Sequence, residues 1–411
     1  MKRTNIKECH FFRFVLAMSF SLFEGAVQSG TQVDQQQLAS ANTEFGFRLL
    51  KELTREQPHA NIFISPYSVS SVLQMVSTGA RGQTQKELRQ VLGTKGLTPE
   101  GINAAYEGLS QSIRSAQSNA VLNIANVLWY RTGAQLNTDF VAVNETFYQA
   151  TLGALDFSLP QSAKVMNDWA AKNTQGRIPT IIQPPIPSET AIVLANAIYF
   201  KGAWLNPFDT KLIRQRAFHL VGGREEQLPM MEQTRSFLYQ QGPAFQAVQL
   251  SYAGQRLQMQ IVLPSANSNL EALVEQMDPN AWKKDVLDGF HENRGTLVLP
   301  RFKIHWGGDL KNPLTVLGLK QALSPNADFS AMSPSRLFLS EIKHQSFVEV
   351  NEEGTEAAAV TTGIMALASF RNQPQPFQMI VDRPFLFAIS DQLTKSILFM
   401  GVVFDPGSSG L

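Results

Sequence analysis

Side chains able to do chemistry are sparse and scattered in this 411-residue sequence. Five of the six histidines lie beyond the first 29 residues: His59, His219, His291, His305 and His344. None stands in an HExxH pattern, and no two are spaced to share a helix face as metal ligands. The single cysteine, Cys9, sits in the N-terminal leader, so a mature chain starting near Gly30 has no thiol nucleophile and no cysteine ligand. There is no GxSxG elbow, no Walker loop and no GxGxxG after a strand. Composition leaves a serine hydrolase open, with no motif to propose one. "DWAAKNTQGR" and "HENRG" mix acids, bases and amides as surface loops do. In "KELTR", Lys51 and Arg55 interleave with Glu52 and Glu56 on a helix, which describes a solvated face. No cofactor and no metal are expected, and the chain is not expected to be an enzyme.

The stretch without an equivalent elsewhere is "EEGTEAAAVTTGIMALASF", Glu352 to Phe370. After its charged start, Ala357 to Phe370 runs for fourteen residues without a charge, a proline or an amide side chain. An alanine-rich buried helix would account for Ala357–Ala359. Val360, Thr361, Thr362 and Gly363 work against continuing one.

Around it the chain reads as an ordinary globular protein. Hydrophobic residues make up 44% and charged residues 17%, enough for a large core. Lys and Arg number 35 against 34 Asp and Glu, so bulk charge draws the chain to neither nucleic acid nor an acidic membrane. The longest apolar runs fall short of the roughly 20 residues a spanning helix needs. Lys2, Arg3 and Lys7 precede the apolar run "FVLAMSFSLF", Phe14 to Phe23, and small residues Val27 and Ser29 follow. That is the layout of a signal peptide over residues 1–29, implying a secreted, extracellular protein with one domain over 30–411. Arg13 and Glu24 depart from the pattern, and a frayed N-terminal extension is the alternative. Asn144-Glu145-Thr146 is a glycosylation sequon for a chain that takes a secretory route.

The elements that must position these residues follow from periodicity. Phe45, Leu49, Leu50 and Leu53 form one helical stripe. "NIFIS" reads as a strand broken by Pro66, and a helix continues to Gly79. Thr84 resembles a helix cap with Glu87 as its capping-box partner. "VLNIANVLWY", "AIVLANAIYF", "LQMQIVLP", "GTLVLPRFKI" and "SFVEVN" are strand-like, as are three runs after Phe377 broken by Pro384 and "DQLTK". "SAKVMNDWAAKNTQGRIPTII" reads as a helix ended by Gly176 and Pro179, and "NLEALVEQM" as another. Helices prevail early and strands late, without regular βα alternation, which predicts an α+β fold.

Five segments in order resemble the serpin family, from about Leu38 to Pro406: "NIFISPYSVSSVLQMVSTGARGQT", "LANAIYFKGAWLNPF", "LPRFKI", "LSEIKHQSFVEVNEEGTEAAA" and "DRPFLFAI…ILFMGVVFDP". The resemblance implies three β-sheets, about nine helices and an exposed reactive-centre loop. In inhibitory members that loop is bait for a serine protease, or for a cysteine protease, and after cleavage it inserts as a central strand. Gly354, Thr355, Glu356, Ala357, Ala358 and Ala359 would be its hinge. Counting from Glu352 puts the reactive bond between Ala368 and Ser369, which suits an elastase-like protease. Leu367 or Phe370 would suit a chymotrypsin-like enzyme, and Arg371 a trypsin-like one. By resemblance, Ser65, Ser68, Asn196 and His344 form a shutter beneath the central strands. Trp204, with Arg301 and Glu352 as an ion pair, would mark the breach where insertion begins. The inhibitor is expected to act as a monomer, and a non-inhibitory carrier or chaperone is the alternative.

Strand insertion makes demands that the residues can be tested against. A central strand excludes proline, which removes a ladder hydrogen bond, and penalises buried charge. Alternate residues from Thr355 are Thr355, Ala357, Ala359, Thr361, Gly363 and Met365, all small or neutral. Glu356 falls on the other face at the entry end. Proline returns only at Pro374 and Pro376. Residues 354–368, extended at about 3.3 Å each, span on the order of 50 Å, enough to cross a large sheet.

Overall fold

Phe45, Leu49, Leu50 and Leu53 lie on α1 (Glu8–Glu56), and none is more than 1% exposed. The computed structural model describes the backbone of residues 8–115, 120–355 and 375–408, with side chains from Gln32 onward, Ala120 excepted. After β1 (Ile62–Ile64), Pro66 opens α2 (Pro66–Thr78), where its fixed φ suits a first helical turn. Next come α3 (Gly82–Val91), α4 (Pro99–Ser115), β2 (Ala120–Arg131) and α5 (Thr138–Tyr148). β3 (Thr151–Leu155), α6 (Pro160–Asn173) and β4 (Ile192–Ala203) follow. Strands then prevail, with β5 (Arg214–His219), β6 (Glu225–Gln241), β7 (Phe245–Ser251) and β8 (Leu257–Pro264). Asn269 caps α7 (Leu270–Gln276) by accepting from the Ala272 N–H at 2.8 Å, and α8 (Pro279–Ala281) is a single turn. β9 (His291–Pro300), β10 (Phe302–Asp309), α9 (Lys311–Val316) and β11 (Leu339–Val350) lead to the two-residue β12 (Gly354–Thr355). The chain ends on β13 (Phe377–Ile380), β14 (Phe385–Asp391) and β15 (Ile397–Val403).

The α+β expectation holds, with nine α-helices among the described residues. Among the described residues the strands join into two hydrogen-bonded ladders, where the resemblance implied three sheets. One has six strands in the order β10-β11-β12-β4-β2-β3; the other runs β1-β15-β14-β8-β7-β6-β9-β13, with β5 also on β6. The cause is β6, seventeen residues without a break. It pairs with β5 from Glu225 to Met230, with β9 from Met230 to Tyr239 and with β7 from Leu238 to Gln241, so one strand joins two groups of strands.

Local corrections have equally local causes. Thr84 is no cap: α3 begins at Gly82, and the Thr84 hydroxyl accepts from the Asp328 N–H at 2.8 Å. Glu87 likewise turns outward to accept from the Lys320 and Gln321 N–H groups. "GTLVLPRFKI" is two strands, because at Arg301 the chain leaves the nine-stranded sheet for the six-stranded one. α6 stops at Asn173, ahead of Gly176.

The two sheets meet through aromatic rings. Phe63 of β1 stacks on Phe387 and Phe399, with centroids 5.6 and 5.1 Å away and planes within 12°. Phe200 of β4 and Phe302 of β10 approach the same group from the six-stranded sheet. Truncating the fully buried Phe63 to alanine removes the middle ring, at a typical cost of about 3–5 kcal/mol. A lowered urea midpoint for Phe63→Ala is the expected outcome, and an unchanged midpoint would refute this account of the core.

Candidate functional site

The six-stranded sheet has a seam at its centre. β4 and β11 run parallel and pair from Ile192↔Leu339 to Tyr199↔Phe347, and no further. Beyond that point the strands part, and β12 lies between them, antiparallel to both. Thr355 sits opposite Val350 on one side and Gly202 on the other, with Gly354 opposite Ala203. The chain leaving β11 therefore turns back on itself and enters the seam for two residues.

The turn is held at every carbonyl. Asn351 O accepts from the Trp204 indole N–H at 3.0 Å, Glu352 O from the Phe208 N–H at 2.9 Å, and Glu353 O from the Trp204 N–H at 2.9 Å. The Asn351 side chain accepts from the Glu353 N–H at 3.0 Å, the local turn that asparagine favours. Gly354 has φ +148°, and a Cβ there would lie 2.1 Å from Gly202 O, so both conformation and contact demand glycine. Thr355 is fully buried, its hydroxyl 2.8 Å from the Tyr252 hydroxyl. Tyr252 stacks on Trp204 at 4.6 Å, and burial raises its phenol above the ordinary range. The Arg301 guanidinium donates to the carboxylate of Glu352, itself only 5% exposed.

Lower in the same seam lies a chain of buried hydrogen bonds. The backbone N–H of Ser65, the N-cap of α2, donates to His344 Nε2 at 3.1 Å. A backbone N–H can only donate, so Nε2 is the acceptor and the ring proton sits on Nδ1. Nδ1 then donates to Asn196 Oδ1 at 2.9 Å. Asn196 Nδ2 donates to Asn126 Oδ1 at 2.7 Å, and Asn126 Nδ2 to Ser71 Oγ at 3.1 Å. The chain starts and ends on α2 and crosses β11, β4 and β2. His344 and Asn196 are register partners, so their bond spans the seam. The Ser65 hydroxyl donates to Leu398 O at 2.6 Å and accepts from the Ser68 N–H at 3.2 Å.

The structure thus brings Ser65, Asn196 and His344 together in the lower seam, and Trp204, Arg301, Glu352, Gly354 and Thr355 at its open end. Ser68 is adjacent, but its buried hydroxyl has no partner among the described residues. Glu356, Ala357, Ala358, Ala359, Ala368 and Ser369, with the alternatives Leu367, Phe370 and Arg371, lie outside the described residues. Sequence reasoning missed Tyr252, Asn126 and Ser71. Asn126 carried a usable signal, a polar residue inside the apolar run "VLNIANVLWY". The sequon reading is corrected: Asn144 is fully buried in α5, donating to Thr78 Oγ1 at 3.1 Å and Phe140 O at 2.9 Å, and cannot carry a glycan in this fold.

A family model described as serpin (serine protease inhibitor) matches residues 40–406, and the chain belongs to that family. The negative expectation, not an enzyme, gives way to this positive description. The chain is 35% identical to Iripin-2 of Ixodes ricinus, over 90% of this chain and 94% of that one. It is 34% identical to the leukocyte elastase inhibitor of Sus scrofa, over 90% of this chain and all of the relative. The solved structure of human thyroxine-binding globulin complexed with thyroxine superposes with TM-score 0.81 at 28% identity, covering 91% of this chain and 100% of that one. Among the described residues no helix is long and apolar enough to cross a membrane.

Burial pushes His344 down to about 3, from an ordinary value of 6.5. The unfolded chain therefore takes up a proton near pH 6.5 that the folded one refuses. This residue makes stability fall as pH drops from about 6.5 toward 3, and adds no pH dependence above that window. Urea midpoints at pH 7.5 and 5 should fall more steeply for the wild type than for His344→Gln; equal falls would refute the buried neutral ring.

Proposed function

We propose that this protein is a secreted, monomeric, irreversible inhibitor of a serine protease, elastase-like or chymotrypsin-like. The observation that carries the reading is β12, a strand already started in the seam, antiparallel to both neighbours. The protease serine Oγ attacks the carbonyl carbon of Ala368, the amide bond to Ser369 breaks, and the leaving amine takes the proton. An ester then joins protease to inhibitor. With its end free, the loop continues the strand that Gly354 and Thr355 begin.

Register supports the path. Six residues on from Thr355 is Thr361; six residues back from Val350 is His344, and six back from Gly202 is Asn196. The inserting strand would thus bring Thr361 between the two side chains whose hydrogen bond spans the seam. It shares the inward face of Thr355, so its hydroxyl replaces a partner for each. Insertion gives up one parallel ladder and makes two antiparallel ones, the more stable kind per residue. The bound protease is carried away and distorted, and loss of an oxyanion donor, worth about 10²–10³ in rate, keeps the ester from hydrolysis.

Two of the similar proteins bear on the choice of partner. An elastase inhibitor among the relatives agrees with Ala368, whereas thyroxine-binding globulin supports a carrier as the second reading. The hinge separates them, because a carrier has no need of the small, neutral face from Thr355 to Met365. Incubation with elastase, chymotrypsin, trypsin and a papain-like protease, followed by a denaturing gel, should give a stable covalent band with the first or second. Cleavage without a band, and with the protease still active, would overturn inhibition. Thr355→Arg would place a charge against Tyr252 in a fully buried site; this variant is expected to be cleaved and not to trap. Secretion is checked separately: expression in a secretory cell should yield medium protein beginning near Gly30.

A further inference from the structure

The six-stranded sheet has a second end, opposite the clamp around Trp204. β4 pairs with β2 without a break from Gly202↔Ala120 to Ile192↔Tyr130, so residues can be counted along it. Gly202 stands opposite Thr355. Thirteen residues on from Thr355 is Ala368, and thirteen back from Gly202 is Glu189. A fully inserted loop would bring the acyl carbon of Ala368 level with Glu189, three residues before β4 begins. Such a tether has no slack. The trapped protease would be drawn against the turn that leads into β4.

That turn is held from β2. The Thr190 N–H donates to Pro187 O at 3.0 Å and closes it. Pro187, Ser188 and Glu189 are exposed, whereas Thr190 is buried. The carbonyls of Ser188 and Thr190 accept from one guanidinium, that of Arg131 at the end of β2. Nε donates to Thr190 O at 3.0 Å, and Nη2 to Ser188 O at 2.5 Å and to Thr190 O at 2.7 Å. Arg131 Cζ also lies 5.5 Å from the centroid of the buried Phe157 ring. A rigid fork of donors can hold two carbonyls at once, which the single ammonium of a lysine does less well. β2 flanks β4 on the side away from the seam, so insertion leaves these bonds in place. The Ala191 N–H, by contrast, donates at 3.1 Å to Ser340 Oγ of β11, across the seam. Full insertion removes that tie and leaves the turn held by β2.

We propose that Arg131 is a positioning residue that braces the turn at residues 187–190 as the platform on which the acylated protease is distorted, and so sets the lifetime of the ester. The proposal rests on the inhibitor reading above. Distortion requires a surface stiffer than the active site pressed against it. If the turn yields, the protease keeps its oxyanion donors. Water then adds to the Ala368 carbonyl, the ester C–O bond breaks, and the serine Oγ takes a proton. Active protease departs, and Ala368 is left as a carboxylate. Arg131 lies at the opposite end of the sheet from Gly354 and Thr355, so the rate of trapping should not depend on it.

Covalent complexes of the wild type, Arg131→Lys and Arg131→Met with elastase or chymotrypsin are purified, and the return of protease activity is followed. A half-life shortened at least fivefold is expected for Arg131→Met and a smaller loss for Arg131→Lys, with trapping rates within about twofold of the wild type. Thermolysin should also cut the bound protease more slowly in the Arg131→Met complex, the mark of a less distorted fold. Melting curves check that the variants are folded; should Arg131→Met fail, Arg131→Lys, which keeps a cation beside Phe157, carries the test. Wild-type half-lives in the folded variants would overturn the brace and leave inhibition standing. Trapping slowed in step with the loss of lifetime would make Arg131 a general support of the fold, which overturns its positioning role. Absence of a covalent complex from the wild type would overturn both readings.

Discussion

Two parallel strands that pair for only part of their length set the terms for this fold. Where β4 and β11 separate, after Tyr199 and Phe347, backbone donors and acceptors on both facing edges need partners. An unpaired buried peptide group costs about as much as a lost hydrogen bond. Two residues of returning chain meet that need with a ladder on each side. The clamp around Trp204, the glycine that no side chain can replace and the buried Thr355–Tyr252 contact all serve to seat those residues.

Much of this was legible in the sequence because alternation and small residues leave a direct trace. The neutral face starting at Thr355 and the glycine before it could be read by eye, as could the apolar runs that became β2, β4 and β8. The pairing of Arg301 with Glu352 was reached only through family likeness, since 51 residues separate them. Tyr252 was not legible at all. Its importance comes from facing both Trp204 and Thr355, and nothing in "LSYAG" announces either neighbour.

Other misreadings came from tertiary demand overriding a local signal. Thr84 has the right chemistry for a cap, but the loop at Asp328 uses its hydroxyl instead. The sequon at Asn144 satisfies a local pattern and is disabled by α5 packing on α2. The merging of two groups of strands through β6 depends on where a long strand does not break, and periodicity of two reads the same through the whole run.

The buried chain beneath the seam has a direction. From Ser65 through His344, Asn196 and Asn126 to Ser71, every link donates the same way. Because its head is a backbone amide, the arrow cannot be reversed: flipping one carboxamide would set two oxygens or two amino groups face to face. One orientation of imidazole and both amides is therefore imposed together, and aligned dipoles reinforce one another. The centre of the sheet behaves as a keyed lock rather than a smear of polar contacts: it accepts one wiring, or it lets go.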